Sequence, residues 1–139
     1  MLKDTLLTMA VGVPCPLGRD RIEAVARAYL GSYARGDMDG RAMLFADDVV
    51  AEEPVGGPPM NGKPALIQFW RSTAEAGWRI ENRLERIVVC GNEALLVFTA
   101  TMTVEGQGTA RMQVFENLAF DGEGRIVRLR AFNDATCVS

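Results

Sequence analysis

At Trp78 the spacing of apolar residues changes, and the change fixes the class of fold. Before it, apolar side chains recur with the period of a helix; after it they alternate, with the period of a strand. Ile22, Val25, Ala26, Tyr29, Leu30 and Tyr33 form one stripe of an amphipathic helix, opened by Asp20-Arg21-Ile22-Glu23 as a capping box and stopped by Gly36. Asp37 is placed to cap a second, short helix, Met38 to Phe45. Asp47-Asp48 turns into a short strand at 49–53, and past the Pro/Gly loop Pro64 opens a third helix ending near Gly77. Strands at about 78–90, 93–104, 109–120 and 125–133 follow, separated by Gly91-Asn92, Gly106-Gln107-Gly108 and Asp121 to Gly124. Three helices and then a meander predict an α+β plan, with the helices on one face of a curved, mostly antiparallel sheet.

The 139 residues suffice for one domain, expected over 19–135. Residues 1–18 read as an N-terminal arm, disordered or packed on a partner. Leu6 to Val13 is short for an export signal, and Asp4 stands where positive charge should dominate. Fifteen basic against eighteen acidic residues, scattered and mixed, argue against nucleic acid as a partner. No apolar run approaches the roughly 20 residues that cross a bilayer, so no membrane partner is expected. Cys15, Cys90 and Cys137 lie far apart with no ligand spacing, which fits reduced cysteines in the cytoplasm and neither zinc nor a disulfide framework. There is no histidine. Imidazole acid–base chemistry, Ser-His-Asp systems and His-ligated metal are thereby excluded, and proton transfer falls to carboxylates, tyrosines or lysines.

Strand phase singles out one such group. Ala110, Met112, Val114, Glu116, Leu118 and Phe120 share a face, so Glu116 is a carboxyl in an apolar row. A buried carboxyl either raises its pKa or finds a cation; Arg128 and Arg130 are the structural partners on offer, and a functional acid is the alternative. Glu53 ends the short strand in phase with Val49 and Ala51, directly before Pro54, while Glu52 points the other way. Spacing alone reads the Glu52-Glu53 pair as a solvated strand end. Tyr29 is central in the first helix's stripe, either as core or as a donor aimed into a pocket. On the second strand Leu95 and Val97, with Thr99, Thr101 and Thr103, make a half-apolar outer face open to a dimer contact.

Met43-Leu44-Phe45-Ala46-Asp47-Asp48 through Glu52-Glu53-Pro54-Val55-Gly56, Asn61-Gly62-Lys63-Pro64-Ala65, Tyr29-Leu30 with Arg35-Gly36-Asp37, and Phe120 to Val127 together resemble the ketosteroid isomerases. These share a cone-shaped fold with nuclear transport factor 2 and the SnoaL-like proteins. The resemblance, over about residues 20 to 134, implies a cone enclosing an apolar pocket, a homodimer, no cofactor and no metal. It implies Glu53 as the base that moves a proton beside a ketone. Tyr29 and a protonated Glu116 would be donors to the dienolate oxygen, the acid being kept neutral by apolar surroundings. Phe45, Trp70, Phe98, Met112, Val114 and Leu118 are the expected pocket lining. The family has aspartate at both carboxyl positions and this chain has glutamate, which moves each carboxyl by roughly 1 Å. Phe45 and Trp70 stand where some relatives carry further hydroxyls, leaving Tyr29 without that support.

The activity so implied is a steroid Δ-isomerase-like shift of a double bond in a small apolar carbonyl compound, a steroid among the options. A non-catalytic binder of an apolar ligand is the competing class, since a fold does not fix chemistry. Other lyase or cyclase activities of the superfamily form a third. Epoxide opening needs an aspartate–arginine–aspartate set that the sequence does not present, and dehydratases of this fold lean on absent histidines.

Overall fold

The computed structural model describes residues 1–139. The elements are α1 (Leu2–Val11), α2 (Arg19–Ser32), α3 (Met38–Met43), β1 (Phe45–Glu52), β2 (Met60–Asn61), α4 (Lys63–Glu75), β3 (Arg79–Cys90), β4 (Glu93–Val104), β5 (Gly108–Phe120), β6 (Ile126–Phe132) and a closing 3-10 turn, Ala135–Cys137. The strands form one six-stranded sheet in the order β2-β1-β6-β5-β4-β3. All neighbours are antiparallel except β1 and β6, so the sheet is mixed and mostly antiparallel, as the meander predicts. The core lies between this sheet and helices α2 and α4, around Ile22, Leu30, Phe45, Leu66, Leu96, Leu118, Ile126 and Leu129, each at most 3% exposed.

Three local expectations are corrected. Helix α2 starts at Arg19 behind Gly18, whose φ of 83° makes the turn; Asp20 lies inside the first turn and makes no cap. There its charge faces the helix's partial positive end. Helix α3 stops at Met43, because the Leu44 carbonyl accepts from Ile126 N–H at 2.9 Å and Phe45 pairs with Ile126 instead. Sheet pairing and full burial of Phe45 outweigh another half-turn of helix. In β3 the alternation slips at a bulge between Leu84 and Arg86, after which Ile87 and Val89 take the inward side. In the N-terminal arm Leu2–Val11 is helical and exposed along its length, with the Met1 amino group 2.9 Å from Asp4.

Asp37 caps α3 as the sequence predicts, its Oδ1 accepting from Gly40 N–H at 2.9 Å. This helix carries Arg41 into the interior. Asp37→Ala is expected to lower stability by about 1 kcal/mol in urea unfolding, and an unchanged midpoint would show the cap to be idle. No helix is long and apolar enough to cross a membrane.

Candidate active site

Sheet register brings the two glutamates into one row. Glu52 lies opposite Arg130, and the Val55 N–H bonds to the Ala131 carbonyl at 2.9 Å, which keeps Glu53 beside Ala131 on the next strand. Ala131 in turn lies opposite Glu116, and Glu116 opposite Leu96. The row across the sheet therefore reads Glu53, Ala131, Glu116, Leu96. Two strand spacings put the carboxyl-bearing backbones about 10 Å apart. Alanine between them leaves a gap that a larger side chain would fill.

This row is a boundary. On one side Leu118, Leu129 and Phe45 continue the solid core; on the other lies a cavity of about 520 Å³, lined by the sheet, by Tyr29 of α2 and by Phe69, Ser72 and Thr73 of α4. Its floor includes Phe98, Ala100, Met112 and Val114, and its roof Phe69 and Thr73 from α4. Tyr29, Tyr33, Glu53, Glu116 and Asn133 supply most of its polar groups. Of the expected lining, Phe98, Met112 and Val114 face this cavity. Leu118 and Phe45, both fully buried, lie one and two rows deeper in the core, and Trp70 lines an adjoining cavity instead.

Glu116 is 2% exposed. Neither arginine offered by the sequence reaches it: Arg128 pairs with Glu93 at 3.5 Å, and Arg130 donates to Glu52 at 3.2 Å. Its Oε1 has no hydrogen-bond partner. Burial first, and then the charge of Glu53, push its pKa well above the usual carboxylate range; Tyr29 opposes this only in part. Both effects favour the neutral, protonated form of Glu116. Glu53 keeps part of its surface open to the cavity while protein surrounds the rest, and burial raises it to about 7, with the Arg41 guanidinium pulling the other way. The Glu52-Glu53 pair is thus split. Glu52 is the ion-paired strand end, and Glu53 is a carboxyl poised near neutrality.

Tyr29 is 2% exposed, its ring edge-on to Phe45 at 5.5 Å and to Tyr33 at 5.7 Å. Burial and the charge of Glu116 raise its pKa well above 10, so its hydroxyl remains a donor. Tyr33, one turn on, brings its hydroxyl to 3.5 Å from that of Tyr29, a long contact. Tyr29 thus has a neighbouring hydroxyl from Tyr33, the residue that closes α2. Arg41 closes the back of the site: it is 4% exposed, its Nε donates to Ser32 Oγ at 2.8 Å, and Ser32 Oγ donates to the Tyr29 carbonyl at 2.6 Å. Tyr33 was legible as part of the helical stripe but not as a site residue. Arg41 gave no signal, because an arginine on a six-residue helix reads as surface.

A curated steroid Delta-isomerase from Nocardioides simplex is 29% identical over 111 residues, covering 80% of this chain and 88% of that one. Among solved structures, the Δ5-3-ketosteroid isomerase from Mycobacterium sp. superposes with a TM-score of 0.77 at 21% identity, covering 86% and 97% of the two chains. SalBIII, an epoxide hydrolase/cyclase-like enzyme in pyran ring formation of the polyether salinomycin, gives 0.79 at 18% identity, covering 86% and 95%. At these identities the structural likenesses establish the cone-shaped fold. The model of the SnoaL-like domain matches residues 26–129, most of the chain, and the chain belongs to the SnoaL-like domain family.

Proposed function

We propose that the chain is a cofactor-free isomerase of the steroid Δ-isomerase type, moving a β,γ-unsaturated ketone into conjugation. The observation that carries this reading is two glutamates at one end of an apolar cavity, Glu116 fully buried and Glu53 at its wall, beside a buried tyrosine, with burial raising the pKa of all three. Glu53 takes a proton from the carbon between the carbonyl and the double bond, and the electron pair moves onto the carbonyl oxygen. Tyr29 and protonated Glu116 donate hydrogen bonds to that oxygen. Such donors strengthen as charge develops, which lowers the barrier rather than merely binding substrate. Glu53 then returns the proton two carbons away. Four of the cavity's apolar groups, Phe98, Met102, Met112 and Val114, fit a small hydrophobic body, a steroid included. The exposed Leu95, Phe115 and Phe132 on the sheet's outer face support a homodimer, and three unpaired cysteines support a reducing, cytoplasmic setting.

Adding the protein to a β,γ-unsaturated 3-ketosteroid is expected to raise conjugated-enone absorbance. The rate constant kcat/KM is expected to climb with pH through about 7, because Glu53 must be ionised to accept the proton. Tight binding of apolar phenols without any turnover would make the protein a binder. Turnover with a midpoint near 4.5 would place the base on a solvated carboxylate elsewhere.

A further inference from the structure

Arg41, whose charge opposes the raised pKa of Glu53, has no close anionic partner of its own. Arg41 belongs to none of the chain's ion pairs. The bond from Nε to Ser32 is the one hydrogen bond its side chain makes within the protein. Its Cζ lies 3.5 Å from the centroid of the Tyr33 ring and 4.9 Å from that of Trp70. Aromatic faces occupy the flat sides of a guanidinium and leave the N–H edge unused. Burying a cation so incompletely paired is unfavourable unless something else meets that edge.

Arg41 lines a second cavity, of about 670 Å³, whose wall also carries Arg35 and Arg79 against a single acid, Glu81. The two cavities adjoin, since Tyr33, Trp78 and Ile80 line both. A ligand with its apolar body and carbonyl in the first has Tyr33 between it and the free edge of Arg41. We propose that the second cavity is a carboxylate subsite anchored by Arg41, and that the molecule bound is an unsaturated ketone carrying a carboxylate. Two parallel N–H donors match a planar carboxylate in a way that a point charge does not. The isomerase reading above supplies the ketone end of this ligand; the anionic end stands on Arg41 alone.

Two probes separate these ends: 3-(6-hydroxynaphthalen-2-yl)propanoate, whose phenol mimics the dienolate and whose tail is anionic, and its neutral amide. By isothermal titration calorimetry the native protein is expected to bind the carboxylate about tenfold more tightly than the amide. Arg41→Gln is expected to abolish that preference, the amide's affinity in the same variant serving as the reference. Equal affinity of the native protein for the two probes overturns the subsite, and so does a preference that survives in Arg41→Gln. If the glutamine variant does not fold, Arg41→Lys decides, because it keeps the charge and loses the two-pronged edge. Its preference is expected to fall at least threefold, and an undiminished one overturns the proposal. A tenfold preference in a protein that turns over no ketone retains the subsite and removes only the reaction. Turnover with no preference does the reverse.

Discussion

Glu53→Gln is expected to lower kcat/KM about 1,000-fold or more while leaving the cavity able to bind a phenol such as 2-naphthol. Glutamine has the shape of the glutamate and lacks only the capacity to accept a proton. Removing the negative charge also removes one cause of the raised pKa at Glu116 without exposing that group to water, so the donors to the oxyanion remain. A variant that keeps turnover within tenfold of the native protein would exclude Glu53 as the base. The same substitution has a thermodynamic signature. Below about 4.5 the carboxyl carries its proton whether the chain is folded or not. Between 4.5 and about 7 the unfolded chain ionises while folded Glu53 holds its proton, so stability falls as pH rises; above 7 this contribution is constant. The shift corresponds to about 3 kcal/mol at 1.36 kcal/mol per unit, less whatever water in the cavity screens. Urea unfolding of Glu53→Gln is expected to show a shallower decline over this range, the part due to Glu116 remaining. An equal decline in both proteins would remove Glu53 as a cause.

Helices α2 to α4 and the four long strands were legible because each carries its own period, and the antiparallel order of those strands followed from short Gly-rich turns; α1, β2 and the parallel pairing of β1 with β6 were not. Glu116 was legible for the same reason: alternation along β5 puts it on the face of Val114 and Leu118, whatever the sheet then does. Glu53 was not separable from Glu52 by spacing. What distinguishes them is the neighbour each meets across β6, Arg130 for Glu52 and small, apolar Ala131 for Glu53, and a partner on another strand has no local signature. Phe45 and Leu118 show the opposite difficulty. Phase places them on the inner face but does not say how far along the strand the face stops being core and starts to wall a cavity, which depends on where α2 and α4 lie over the sheet. Arg41 lay beyond reach altogether, since its burial follows from stacking on Tyr33 and Trp70, contributed by two different helices.

Glu116→Met is expected to make the protein more stable and nearly inactive. Methionine matches the length of glutamate, is unbranched, and carries no atom that needs a strong partner. In the native chain Leu96 and Ala131 flank the carboxyl on either side, its Oε1 meets no donor, and its proton is retained at a pH where the unfolded chain would release it. Each of these favours the unfolded state, the last increasingly as pH rises above 4.5. A gain of about 1 to 3 kcal/mol at pH 7 is therefore expected, read as a higher urea midpoint at unchanged slope. Turnover is expected to drop about 100- to 1,000-fold, the usual cost of one lost oxyanion donor. Glu116→Gln, which restores an N–H donor of weaker acidity, should recover part of the rate and is neutral at every pH. A Met variant that is both destabilised and active would make Glu116 a structural group. Gain and loss in the same substitution would instead show that the chain tolerates an unfavourable buried carboxyl because the reaction requires one, the trade that distinguishes a site from a core.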